Sequence, residues 1–235
     1  MNYAKPCPHG PVETVTDRLA FVRGSMRMNA LLRISRNMAI LRDEDGLTLV
    51  NPIRLTASGE EALARLGPVR RILRLGAMHG IDDPYYKARF GAELWGEARG
   101  TIYPNPPVDR DIAGEFPLPE ATLFRFERTQ QPEAALLVPG TPSVLLTCDA
   151  IQHYGDYTYN NRMARMAMPF IGFPKTTVVG PIWLKRMTPP GASLQSEFER
   201  LLELDFDALL SAHGTFLNHD AKASVRRAVA RAFEN

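Results

Sequence analysis

Residues 69–86 read VRRILRLGAMHGIDDPYY, and the fold turns on how this stretch divides. Residues 69–75 carry apolar side chains at Val69, Ile72, Leu73 and Leu75, with Gly67-Pro68 before them and Gly76 after. A short apolar run between such breakers reads as a strand. Asp82-Asp83-Pro84 then opens a helix reaching Arg89, because proline suits a first helical turn, where its missing N–H costs nothing. The loop between strand and helix holds His79, Asp82 and Asp83.

Upstream, residues 12–23 alternate apolar and polar up to Gly24, and residues 26–34 read as a further strand. Apolar runs at 37–42 and 47–50 flank Asp43-Glu44-Asp45-Gly46, a strong hairpin signal. Ser58 is the expected N-cap of a helix carrying Leu63 and Leu66, with Glu61 three residues on as in a capping box. Downstream, residues 92–95 read as a short strand, and 121–128, 133–138 and 143–151 as a β-meander turned at Pro139-Gly140-Thr141-Pro142. Residues 154–181 are irregular and rich in Tyr, Met, Asn and Pro, with a helical centre at 160–168. An amphipathic helix follows at 194–202, an apolar strand at 206–212 ending in His213-Gly214, and a closing helix at 220–233. Strands then a helix, twice over, give an α/β or α+β protein with two sheets packed together and helices outside. No stretch reads as a linker, so residues 1–235 form one expected domain.

Composition narrows the function. The 28 basic and 26 acidic side chains leave a net charge of +2, without the basic excess of a nucleic-acid binder. The basic segments 70–74 and 222–231 read as solvated faces. No nucleic-acid partner is expected. Two cysteines cannot build a disulfide framework. Cys148 sits in an apolar run as a buried thiol, and Cys7 with His9 is metal-capable but short of a site. Without an apolar leader or a run of about 18 apolar residues, the expectation is a cytoplasmic protein with no membrane partner. A small molecule is the expected ligand or substrate, and the oligomeric state is left open.

Four stretches together resemble the metallo-β-lactamase superfamily, in family order. GLTLVNPIRLTASGEEALARLG (46–67) resembles the second-strand segment and first helix. VRRILRLGAMHGIDDPYY stands where the family has its His-x-His-x-Asp-His motif. SVLLTCDAI (143–151) resembles the strand ending in the bridging aspartate, and FDALLSAHGTFL (206–217) the strand ending in the last histidine. The resemblance covers residues 12 to 230 or so and implies a four-layer αββα sandwich. The metal motif departs from the family pattern: with His79 as its first histidine, Ile81 and Pro84 replace the next two, while Asp83 keeps the aspartate. Residues 122–148 lack the middle histidine, and Asn51 stands where many relatives have aspartate.

What remains implies at most one ion, of zinc, iron or manganese, held by His79, Asp83, Asp149 and His213. Such a site suits a hydrolase of an ester, lactone or thioester, with Asp83 and His153 as catalytic groups. The alternative is a non-catalytic small-molecule binding or interaction module on a degenerate site, with no metal at all. Simpler roles stand beside these. Asp82 or Asp83 is able to cap the helix at Pro84, Asp149 to bond loop amides, and His213 to hydrogen-bond Asp149. Two carboxylates brought together without an ion imply a raised pKa. The Met- and Tyr-rich stretch 154–173 reads as packing over the sheet or as a pocket wall.

Overall fold

A computed structural model describes residues 3–233. The chain begins with β1 (Val12–Thr14), β2 (Leu19–Arg27), β3 (Arg33–Asp43) and β4 (Gly46–Val50), each antiparallel to the one before. The hairpin at 43–46 forms as its sequence indicates, Asp43 pairing with Gly46 and its carboxylate accepting the Asp45 and Gly46 N–H groups. After α1 (Ala57–Leu66) the sheet turns parallel with β5 (Val69–Leu73), α2 (Asp83–Phe90), β6 (Glu93–Gly96) and β7 (Arg110–Asp111). All seven strands lie in sequence order in one sheet.

The second half gives the meander β8 (Thr122–Arg125), β9 (Ala134–Val138) and β10 (Val144–Thr147). A small ribbon follows: β11 (Ile151–His153), α3 (Arg162–Ala167) and β12 (Thr177–Val179), with β11 antiparallel to β12. Then come α4 (Pro181–Met187), α5 (Gln195–Leu201), β13 (Ala208–Ser211) parallel to β10, and α6 (Ala221–Phe233). The second sheet runs β13-β10-β9-β8.

The two-residue period of each strand assigns its faces. Leu19 and Phe21 of β2 with Ala39 and Leu41 of β3 meet Leu136, Val144, Leu146 and Leu210 between the sheets. Their neighbours Val22, Met38 and Ile40 point the other way, under Leu63 of α1 and Tyr85 and Tyr86 of α2. Leu145 and Leu209 of the second sheet face Trp183, Phe198 and Val225 from α4, α5 and α6. The result is a four-layer αββα sandwich. No helix among the described residues is long and apolar enough to cross a membrane.

Four sequence expectations change, each for a local reason. Residues 26–34 are not one strand, because Asn29 Oδ1 accepts the N–H groups of Leu31 and Leu32 and turns the chain. Residues 143–151 break after Thr147, where Thr147 Oγ1 donates to Ile151 O and the Glu133 carboxylate takes the amides of Asp149 and Ala150. Within 154–181, β12 forms as a partner for β11, and α4 then begins at Pro181, an element periodicity does not reveal. The cap of α1 is Thr56, whose backbone is extended and whose Oγ1 accepts Gly59 N–H, while Ser58 lies inside the helix. Thr56→Ala is therefore expected to cost about 1 kcal/mol in urea denaturation, and Ser58→Ala less than about 0.5 kcal/mol.

Candidate metal centre

At one end of the sandwich the two sheets are stitched by backbone hydrogen bonds. Asn37 N–H donates to Ala212 O (2.7 Å), Ala134 N–H to Leu75 O (2.7 Å) and Ala77 N–H to Pro132 O (3.0 Å). This closes the ends of β3, β5, β9 and β13 on one another. The loops leaving β5, β10 and β13 then carry His79, Asp149 and His213 to a common point. His79 Nε2 lies 3.0 Å from Asp149 Oδ2, and His213 Nε2 lies 3.1 Å from Asp149 Oδ1. The two Nε2 atoms are 3.2 Å apart.

The His213 ring is oriented by β3. Its Nδ1 is 2.6 Å from Ser35 O, and a carbonyl only accepts, so Nδ1 carries the proton. In the neutral ring Nε2 is then a bare lone pair aimed at a carboxylate. Two acceptors do not face each other at 3.1 Å unless something positive lies between them or a proton is added. The loop is fixed by the same strand: Gly214 N–H donates to Ser35 Oγ, and Asn37 Nδ2 to Ser211 O. Gly214 has φ +82, and a Cβ there would fall 2.0 Å from His153 O. A second close approach occurs at Gly180, whose Cβ would fall 2.2 Å from Asp149 O.

His79 is 2% exposed and donates nothing through Nδ1, which has no partner among the described residues. Burial holds its pKa down to about 4, outweighing the pull of the Asp149 carboxylate. Burial also opposes ionisation of Asp149, but His79 and His213 overcome it and hold the carboxyl well below the usual range. Behind them, Glu133 Oε1 accepts both the Asp149 and Ala150 amides at 2.7 Å. Burial, then the negative charge of Asp149, pushes Glu133 well above the usual carboxyl range. Cys148 is beside this group: His79, Cys148 and Asp149 offer ligand atoms within 4.8 Å of one another. Burial and the two carboxylates push its thiol pKa up.

Of the residues expected from the sequence, His79, Asp149 and His213 come together. Asp83 stands apart, fully buried, with Arg74 Nε 2.6 Å from its Oδ2. Burial raises the pKa of Asp83 against the pull of Arg74. Asp82 precedes α2 without a side-chain cap and instead accepts the Arg54 N–H. His153 lies half-buried, its Nδ1 2.9 Å from Thr177 Oγ1, beside a cleft of about 400 Å³ lined by Phe21, Arg23, Asp156 and Thr215. Burial lowers its pKa. Pattern reading missed Ser35, Arg36, Arg74 and Glu133. Arg36 is fully buried and donates from Nη2 to His79 O at 2.7 Å. The one available signal was a polar triplet, Ser35-Arg36-Asn37, interrupting an otherwise apolar strand.

No family model and no curated protein matches this sequence. Solved structures do. VMB-1 aligns with a TM-score of 0.68 at 9% identity, over 98% of this chain and 99% of that one. The metallo-β-lactamase FIM-1 from Pseudomonas aeruginosa, in its mono-zinc form, aligns at 0.62 and 12% identity, over 97% and 98%. A metallo-β-lactamase from Hirschia baltica aligns at 0.62 and 13% identity, over 94% and 98%. The chain has the metallo-β-lactamase fold.

Two measurements check the electrostatics. Arg74→Met strands Asp83 as a buried carboxyl without its partner and is expected to cost about 3–5 kcal/mol, most of it restored by adding Asp83→Leu. In the metal-free protein, His79 binds its proton near 4 when folded and near 6.5 when unfolded. The unfolded state thus holds more protons between these values, and stability falls as pH drops from 6.5 to 4, by about 3 kcal/mol. Urea titrations across that window are expected to show this fall and a flatter profile in His79→Gln.

Proposed function

We propose that His79, Asp149 and His213 hold one divalent transition ion, zinc in the first place, and that the chain hydrolyses an ester, lactone or thioester. The observation that carries this is the His213 tautomer: Nδ1–H donates to Ser35 O, which leaves the Nε2 lone pair facing Asp149. Ligand atoms each about 2.0–2.1 Å from a tetrahedral ion lie about 3.3 Å from one another. The spacings of 3.0, 3.1 and 3.2 Å within the triad suit that geometry. A metal-binding imidazole commonly gives its other N–H to a carbonyl, as His213 does to Ser35. Asp83 has no part in this set, since Arg74 already holds it.

When bound, a divalent ion supplies Lewis-acid chemistry, polarising a carbonyl and acidifying water. The chain's own groups do the rest. Asp149 keeps its negative charge between the two imidazoles, and Glu133 fixes the loop that carries it through two backbone amides. His153, its Nδ1 near Thr177 Oγ1 and its pKa lowered by burial, lines the open cleft, and on this reading it accepts a proton there. Arg36 holds the His79 loop by its carbonyl, so the imidazole does not swing.

A second reading follows from exposure. His79, Asp149 and His213 are 2%, 6% and 6% exposed, which leaves a substrate little access. On that reading the ion or the hydrogen-bonded triad is structural and the protein is a binding module.

Metal analysis of untagged protein, with zinc titration by calorimetry, is the deciding experiment. We expect about one equivalent of metal, lost in the Asp149→Ala, His213→Ala double variant, and ester or lactone turnover abolished by chelation. Metal without turnover across an ester, lactone and thioester panel supports the second reading. No uptake even in excess zinc rejects the ion and the hydrolase together.

A further inference from the structure

The most unusual surface lies on the ribbon and α3, away from the buried centre. Met163 and Met166, one helical turn apart on α3, are 52% and 67% exposed. The turn after α3 carries Phe170 at 90% exposure, with Ile171 exposed beside it. Ile182 is exposed on α4, whose Pro181 packs against Gly172 of that turn. The tip of the β2–β3 hairpin adds Met28 and Leu31, tied to the start of α3 by Asn161 Nδ2 donating to Leu31 O and Asn161 N–H to Arg33 O. Large apolar side chains exposed side by side mark an interaction surface rather than ordinary surface scatter.

Charge identifies what the surface faces. Residues 157–196 contain five Lys or Arg and no Asp or Glu, and residues 23–36 around the hairpin tip contain four Arg and no Asp or Glu. Arg36 is buried and Arg23 is paired with Asp156, but Arg27, Arg162, Arg165 and Lys175 reach solvent. On α4, Lys185 and Arg186 follow Ile182 by three and four residues and share its face. Two copies meeting through this face would set like charges against one another. A nucleic acid would answer the cations but not an exposed Phe170 among methionines and isoleucines.

We propose that this face rests on an anionic phospholipid surface, with Met163, Met166, Phe170 and Ile171 in the acyl–headgroup boundary and the cations on the headgroups. Apolar insertion and electrostatic attraction together give the reversible binding of a protein that lies on a bilayer.

Flotation of the full chain with phosphatidylcholine vesicles, with and without about one-third phosphatidylserine, tests this. Binding is expected only with the anionic lipid, falling steeply with added salt. Met166→Ser with Phe170→Ser, and separately Lys185→Glu with Arg186→Glu, are each expected to weaken it by about tenfold or more. All four positions are exposed, so unchanged thermal unfolding will show that the variants are folded. No binding to either vesicle, equal binding to both, or full binding by the variants overturns the proposal. So does a concentration-dependent dimer in light scattering that Met166→Ser, Phe170→Ser abolishes, which would assign the face to a second copy.

Discussion

A carboxylate shut away from water has to be answered by positive charge or by donors, and in this protein Asp149 sets that demand. The residue is only 6% exposed, yet the neighbouring imidazoles, His79 first, hold its carboxyl well below the usual range against the cost of burial. To meet it, loops from both sheets must arrive at one point, and the backbone links at Asn37, Leu75 and Ala134 bring them there. The surrounding charges follow the same logic. Arg74 answers Asp83, the Arg54 amide and the charge of Arg36 answer Asp82, and Glu133 is pushed toward its neutral form by burial and by Asp149. Asp149 is the carboxylate left to the two imidazoles.

The loops that carry His79, Asp149 and His213 are short, but the strand that orients them is long. β3 contributes Ser35 to the His213 ring and the Gly214 amide, Arg36 to the His79 carbonyl, and Asn37 to the carbonyls around His213. Eleven residues of strand thus fix the tautomer of one imidazole and the position of another. A rigid element behind a centre determines which lone pairs are presented, and so what the centre can bind.

Apolar alternation indicates two packed sheets with helices outside. The four-layer sandwich, with His79, Asp149 and His213 near strand ends at one site, is what the resemblance of four stretches to the metallo-β-lactamase superfamily implies. Asp83 was not legible in the same way. Its neighbour in space, Arg74, looks from the sequence like one of three arginines on a solvated strand, whereas in the fold the pair is buried together. Glu133 likewise reads as the polar start of a strand, whereas its partners are amides some sixteen residues away. Side chains that bond distant backbone leave no periodic trace. The stretch 154–181 hid β12 for a related reason: a three-residue strand paired by tertiary context carries too little pattern to be seen.

The close approaches at Gly180 and Gly214 bear on how such a protein can change over time. At these positions a first side-chain atom would fall 2.2 and 2.0 Å from the carbonyls of Asp149 and His153. The loops that carry the centre are therefore packed backbone against backbone, with no side chain available to absorb an adjustment. A side chain at either glycine would push the Asp149 and His153 loops off their neighbours, so two residues without side chains hold the centre together.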